Sequence, residues 1–310
     1  MAKVTVLGTG MVGASFAYKL LGSGLASEML LVDVNRKRAE GEMMDLNHAM
    51  PFDSPCQIEV GDYSDIKGSD VVVISAGVAQ KPGESRLDLV KRNVAIFKEM
   101  IPQVVQAAPD AIIVLATNPV DIMTQATIEI AGFAPGRIFG SGTILDTARF
   151  RYLLGEYYKV DPRSVHAYII GEHGDSEVPV FSTADIAGVG LAEVCKQQGR
   201  EYDQTKMDDI FSQVRDAAYQ IIERKGATYY AIASGLLRIV EAVLRDQRTV
   251  FSISSPMTGQ YGVKDTCLSL PTVIGRQGSG QVLTLPLNQK EVLGFQNSAE
   301  VLKKLAQEAF

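Results

Sequence analysis

The chain has 310 residues, 46% hydrophobic and 21% charged, with a formal net charge of −6 at pH 7. That balance suits a large buried core spread over two domains. It argues against nucleic acid as a partner, because phosphate binding needs a basic face and the densest basic cluster is the short "NRKR" at 35–38.

A strand-like run, "KVTVLG" (3–8), follows the first methionine so closely that no signal or transit peptide is expected. No apolar stretch approaches the roughly 18 residues of a membrane span. Cys56, Cys195 and Cys267 are far apart and lack C-x-x-C spacing. They read as reduced thiols, which points to a cytoplasmic protein.

In chain order, "KVTVLG" leads into a helical pattern over 11–23, and "MLLVDV" (29–34) into one over 36–49. "DVVVISA" (70–76) leads through the glycine- and proline-punctuated loop "GVAQKPGESR" to a long helix over 87–107. "AIIVLAT" (111–117) precedes a helix over 120–131, and "RIFGSG" (137–142) closes the first half. These runs are apolar throughout rather than alternating, as in strands buried on both faces of a parallel sheet. Strand–helix alternation then gives a Rossmann-type α/β domain over 1–142, with ligands at the carboxyl ends of its strands.

The rhythm changes over 143–310. A helical pattern covers 143–159, and "SVHAYIIG" (164–171) reads as a strand. Helices are expected over 207–225 and 228–244, strands over 249–254 and 266–270, and a final amphipathic helix over 288–308. This half reads as a mixed α+β domain.

"GTGMVG" (8–13) matches G-x-G-x-x-G between a strand and a helix. Gly8 permits a tight turn, Gly10 lets the backbone approach a pyrophosphate, and Gly13 lets helix and strand pack closely. Val12 lies within the same turn of helix. The helix N-terminus offers free N–H groups to the anion. Asp33 follows Gly13 by about 20 residues, where an acid meets the adenosine ribose. It favours NAD over NADP, although Arg36 and Arg38 could tolerate the extra phosphate. Gly77 and Val78 after the third main strand, and Thr117 and Asn118 after the next, are candidates for the nicotinamide end. "TNP" also reads as a plain Asn-Pro turn.

The chain has three histidines, His48, His166 and His173, with no spacing that suggests a metal site. His166 and His173 are an odd number of residues apart, so an extended segment would point them to opposite faces and give them different tasks. His173 lies in "GEHGDSE", just past a predicted strand. Asp146 and Arg149 in "GSGTILDTARFR" share a helix face. They read either as a surface ion pair or as an orienter for His173 beside a guanidinium fork for a carboxylate.

Together these segments resemble the bacterial-type NAD-dependent L-lactate dehydrogenases of the lactate/malate dehydrogenase superfamily. The resemblance runs from the first strand to the final helix, through "GTGMVG", "AGVAQKPGESRLDLVKRN", "TNPVD", "GSGTILDTARFR", "GEHGDSE" and "KGATYY". It implies that His173 is the proton donor and acceptor, with Asp146 its partner. Arg149 would anchor the substrate carboxylate, and Arg86 would polarise the reacting carbonyl once its loop closes. Gln80 would be the specificity position, with Asn118 and Thr228 lining the substrate site and Ile232 packing on the nicotinamide.

Malate dehydrogenases resemble the same loop but carry Arg at the Gln80 position. A neutral amide there favours pyruvate and L-lactate over a dicarboxylate. Arg151 and His166 match the positions that bind fructose 1,6-bisphosphate across a subunit interface in allosteric relatives. The family is usually tetrameric. The competing expectations are malate or another L-2-hydroxy acid as substrate, and a non-catalytic dinucleotide-sensing protein.

Overall fold

The computed structural model describes residues 2–78 and 83–309. The first half contains β1 (Lys3–Leu7), α1 (Met11–Ser23), β2 (Glu28–Val32), α2 (Arg36–Ala49) and β3 (Gln57–Val60), followed by β4 (Val71–Ile74), α3 (Arg86–Ala107), β5 (Ile112–Leu115), α4 (Val120–Ala131) and β6 (Ile138–Gly140). The second half contains α5 (Ile144–Tyr158), β7 (Val165–Ile170), β8 (Val178–Ile186), β9 (Val189–Gly190), α6 (Leu191–Gln197), α7 (Gln204–Lys225) and α8 (Tyr230–Leu244). It ends with β10 (Thr249–Thr258), β11 (Lys264–Gly275), β12 (Gly278–Val282) and α9 (Gln289–Ala309).

Six parallel strands lie in the order β3-β2-β1-β4-β5-β6. The order reverses between β1 and β4, which opens a crevice at their carboxyl ends. The all-apolar strands are buried on both faces, as expected. In β4, Val71 and Val73 join the core under α1 and α8, while Val72 and Ile74 join the core under α3 and α4. Phe16, Leu20, Leu236 and Ile239 fill the first core, and Val90, Phe97 and Ile101 the second.

The two halves share this sheet. β10 runs antiparallel to β6 at Ser254 and Gly140, and β11 and β12 extend the sheet further. A second antiparallel sheet, β7-β8-β9, packs with α5 around Phe150, Leu154 and Ile169. The strands β3, β8, β9 and β12 and the helix α6 go beyond the sequence expectation. β3 ("QIEV") and β12 ("GSGQV") carry too few apolar residues to signal a strand alone. β8 is one-sided, so its inward and outward residues alternate and its apolar signal is diluted.

β7 ends at Ile170, and its pairing with β8 shifts register between His166 and Tyr168. The alternation of faces therefore does not reach His173, which lies on the connection beyond the strand. His166 is exposed on β7.

The tight β1–α1 connection fixes the crevice. Gly8 has φ +89°, and a Cβ on Gly13 would lie 1.9 Å from the Gly8 carbonyl oxygen and 2.8 Å from Ser75 Oγ. Gly13→Ala must push helix and strand apart, at a cost of about 1–3 kcal/mol. The expected result is a lower urea-unfolding midpoint; an unchanged midpoint would contradict the packing described.

Candidate active site

β1 delivers Gly8 and Gly10 to one wall of the crevice, and β2 delivers Asp33 to another. α1 starts from Gly10 with no side-chain cap, so its first-turn amides are available to an outside acceptor. A Cβ on Gly10 would meet no protein atom within 4 Å. Glycine at this position leaves room for a ligand rather than for the fold. Val12 is half-buried against the core under α1.

Asp33 is held in place from three directions. Its Oδ2 accepts from Thr9 N at 2.7 Å and Thr9 Oγ1 at 3.0 Å, and its Oδ1 accepts from Asn35 N at 2.8 Å. A cavity of about 560 Å³ is lined by Gly8, Gly10, Asp33, Arg38, Gly77 and Val78, among others. Free helix amides, a fixed acid and glycine walls suit a dinucleotide. Arg36 pairs with Glu40 at 3.2 Å and with Asp62 at 3.6 Å, and Arg38, which lines the cavity, lies 3.9 Å from Glu42, so both cations named for a 2′-phosphate already have acidic partners.

The far wall is tied together by Asn93 of α3, which is fully buried. Its Oδ1 accepts from Val78 N at 2.9 Å, and its Nδ2 donates to the Asn118 carbonyl at 3.1 Å. Thr117 Oγ1 donates to the Ala76 carbonyl at 2.6 Å. A Cβ on Gly77 would lie 2.6 Å from Thr117 Cγ2. The ends of β4 and β5 are thereby locked side by side. Asn118 is exposed.

Beyond this wall, three elements converge on one imidazole. Asp146, on the first turn of α5, is 2% exposed. Its Oδ2 lies 2.5 Å from His173 Nδ1, and its Oδ1 accepts from Arg149 Nη1 at 2.8 Å. The ion pair between Asp146 and Arg149 exists, but it is buried rather than at the surface, and its carboxylate is shared with the histidine. Asp121 of α4 fixes the histidine backbone, its Oδ2 accepting from His173 N at 2.8 Å. Arg86, the first residue of α3, pairs through Nη2 with Glu172 Oε1, next to the histidine. α3 links the two regions, since Ile96, Met100 and Gln103 further along it line the cavity.

The electrostatics follow from burial and neighbours. Burial pushes the His173 pKa down, but the charge and hydrogen bond of Asp146 outweigh it, and the net result is a rise to about 9. Burial likewise opposes ionisation of Asp146, and the cations His173 and Arg149 reverse that, so its pKa is lowered. Burial lifts Asp121 to about 6, partly opposed by the Ser254 hydroxyl and the His173 amide. Glu177, 6% exposed, is pushed up to about 9, first by burial and then by the Asp146 charge. At neutral pH the cluster therefore holds an imidazolium and an aspartate, with Glu177 protonated.

Of the residues that the sequence singles out, His173, Asp146 and Arg149 are hydrogen-bonded in one cluster, while Arg86 bonds to Glu172, the residue before the histidine. The sequence reading gave no role to Asp121, Glu172, Glu177 or Asn93. Asn93 could have been found, because it interrupts the buried stripe Leu89, Val90, Val94 and Phe97 of α3 with a polar group. Thr228 and Ile232 are half-buried at the α7–α8 connection and on α8, and Ile232 packs on the core under α1. Neither shares a recorded hydrogen bond with the His173 cluster among the described residues. Gln80 lies outside the described residues. Arg151 donates through Nε to the Ala167 carbonyl at 2.9 Å, with its guanidinium 5.0 Å from the Tyr168 ring centre.

Comparison with known proteins gives one answer across the whole chain. The family model for the lactate/malate dehydrogenase NAD-binding domain matches residues 2–140, and that for the lactate/malate dehydrogenase alpha/beta C-terminal domain matches residues 143–310. The chain is 50% identical to an L-lactate dehydrogenase of Thermoanaerobacter sp. (strain X514), over 99% of each chain. It is also 50% identical to one of Acetivibrio thermocellus, over 98% of this chain and 96% of the other. Among solved structures, a lactate dehydrogenase from a Medee basin deep-sea metagenome library superposes with TM-score 0.96 at 40% identity, covering 99% and 98% of the two chains. The minor L-lactate dehydrogenase of Enterococcus mundtii, in a ligand-bound form, does so with TM-score 0.96 at 38% identity, covering 100% and 98%. The chain belongs to the lactate/malate dehydrogenase family.

Proposed function

We infer that this protein is an NAD-dependent L-lactate dehydrogenase that interconverts pyruvate and L-lactate. The observation that carries the assignment of roles is the buried carboxylate of Asp146, shared between His173 and Arg149. Gly8, Gly10, Val12, Gly13 and Asp33 would hold the adenosine and pyrophosphate end of the dinucleotide in the glycine-walled cavity, and Gly77, Val78, Thr117, Asn118 and Ile232 its nicotinamide end. Bound there, NADH would supply the hydride for pyruvate reduction and NAD+ would accept it from lactate.

Arg149 is already oriented through Nη1, and its remaining N–H groups take the pyruvate carboxylate in a forked pair. Arg86 polarises the ketone, and Asn118 and Thr228 line the substrate site. Protonated His173 gives its proton to the ketone oxygen as the carbonyl carbon is reduced. In the reverse direction neutral His173 takes the hydroxyl proton. Asp146 holds the other ring nitrogen throughout and stabilises the imidazolium. Because the His173 pKa is raised to about 9, pyruvate reduction should decline as pH rises through that value, while lactate oxidation should gain.

Gln80 is the residue that reads the substrate tail. A neutral amide suits the methyl of pyruvate and leaves the second carboxylate of oxaloacetate unpaired. Malate dehydrogenase activity is therefore the second reading, and it needs a cation that Gln80 does not supply. A cytoplasmic location fits three buried thiols. We further place the enzyme in a homotetramer. Arg151 and the exposed His166 would face their symmetry mates there and bind fructose 1,6-bisphosphate.

Two assays test this reading. In an NADH-oxidation assay, the wild type should favour pyruvate over oxaloacetate. Gln80→Arg should shift kcat/KM toward oxaloacetate by about a hundredfold, the scale of ~3 kcal/mol for an unpaired buried charge. An unchanged ratio would reject Gln80 as the selector. Pyruvate saturation measured at low enzyme concentration should sharpen and shift to lower substrate when fructose 1,6-bisphosphate is added. The shift should vanish in Arg151→Gln, and a curve indifferent to the sugar bisphosphate would reject the second site.

A further inference from the structure

Glu172 precedes the catalytic histidine in sequence, and its side chain is only 1% exposed. A carboxylate at that depth needs both hydrogen bonds and a cation. Both are present. Oε2 accepts from Ser176 Oγ at 2.5 Å and from Ser176 N at 3.3 Å, while Oε1 accepts from Arg86 Nη2. Ser298 of α9 fixes the same turn: its hydroxyl accepts from Glu172 N at 3.3 Å and donates to the Ser176 carbonyl.

The pair is asymmetric. The anion is buried and held from two sides, whereas the Arg86 side chain is 40% exposed and attached at the start of α3. Gly174 closes over the contact, since a Cβ there would lie 2.9 Å from the Glu172 carboxyl carbon and 3.3 Å from Arg86 Nη2. Among the described residues, Arg86 is the cation paired with Glu172. Withdrawing Arg86 would leave a buried charge without its counter-ion, which strongly penalises every arrangement in which the arginine is elsewhere.

We propose that Glu172 is a positioning residue that docks Arg86 beside His173. It holds one edge of the guanidinium and leaves the other N–H groups for the reacting carbonyl oxygen. The proposal rests on reading Arg86 as the group that polarises that carbonyl. In this proposal Glu172 works through Arg86 and not by contact with substrate or cofactor. It acts by lowering the freedom of Arg86, so its contribution should appear in kcat for pyruvate reduction and not in NADH affinity.

The test is a double-mutant cycle with Arg86→Gln and Glu172→Gln, read by steady-state pyruvate reduction and by NADH fluorescence titration. Glu172→Gln should lower kcat roughly tenfold to a hundredfold, the range for a hydrogen bond to a charged group, with NADH affinity unchanged. In the Arg86→Gln background the same change should cost less than about twofold, because the coupled partner is already gone. Losses that multiply independently would overturn the proposal. Ser176→Ala, which loosens the Glu172 carboxylate without removing it, gives a second reading if Glu172→Gln does not fold. It should produce a smaller kcat loss that also disappears without Arg86, and full turnover would overturn the proposal. If Arg86→Gln alone turns over normally, the role of Arg86 itself fails, which is a different result from independent losses.

Discussion

Asp146 places one carboxylate between two cations inside the protein, with 2.5 Å to the His173 ring and 2.8 Å to the Arg149 guanidinium. Each member depends on the others. Burial alone would hold the imidazole neutral, and the carboxylate reverses that balance. A buried aspartate without both cations would resist ionisation, and they reverse that too. One charge distribution therefore favours a protonated ring on His173 and orients the Arg149 guanidinium from the same carboxylate. These are the two groups that the proposed reaction assigns to the ketone and the carboxylate of a 2-oxo acid.

The scaffold exists to hold this arrangement against the dinucleotide crevice. The parallel strands supply a rigid floor because their residues are buried on both faces, and their carboxyl ends carry the glycine turn, Asp33, Gly77 and Asn118. Asn93 fastens the ends of β4 and β5 to α3. The start of α3 carries Arg86 to Glu172, and the start of α4 carries Asp121 to the His173 backbone. The sheet itself crosses from one half of the chain to the other through β6 and β10. The crevice wall and the turn that carries His173 are thus parts of one packed body.

Features whose partners lie nearby in the chain were legible in the sequence. Gly8, Gly10, Gly13 and Asp33 fall within one strand–helix–strand unit, and each has a steric or electrostatic reason that needs no tertiary knowledge. Asp146 and Arg149 share a helix face by spacing alone. The direction of His173 was not legible from alternation, because β7 stops at Ile170 and has already shifted register. Helix spacing offered Asp146 as the orienter of His173 only beside the rival reading of a surface ion pair, and the resemblance to lactate dehydrogenases decided between them. Asp121 and Glu172 stayed silent because their partners come from distant elements: the backbone of His173 for one, and the start of α3 for the other. A carboxylate in sequence carries no mark of whether it will be solvated or buried. β8 and β12 were missed for a similar reason, since short one-sided or glycine-rich strands are defined by their neighbours.

The central claim is that Asp146 keeps the His173 ring protonated despite its burial. With three histidines in the chain, the ring signals can be followed by NMR as pH is varied and assigned with a His173→Asn variant. The wild-type ring should titrate near 9. In Asp146→Asn the nearest counter-charge and its hydrogen bond are gone while burial remains and Asp121 and Glu177 offset it only in part, so the midpoint should fall well below that of the wild type. Equal midpoints in the two proteins would show that the carboxylate does not set the charge of the ring, and the account of the site would be wrong.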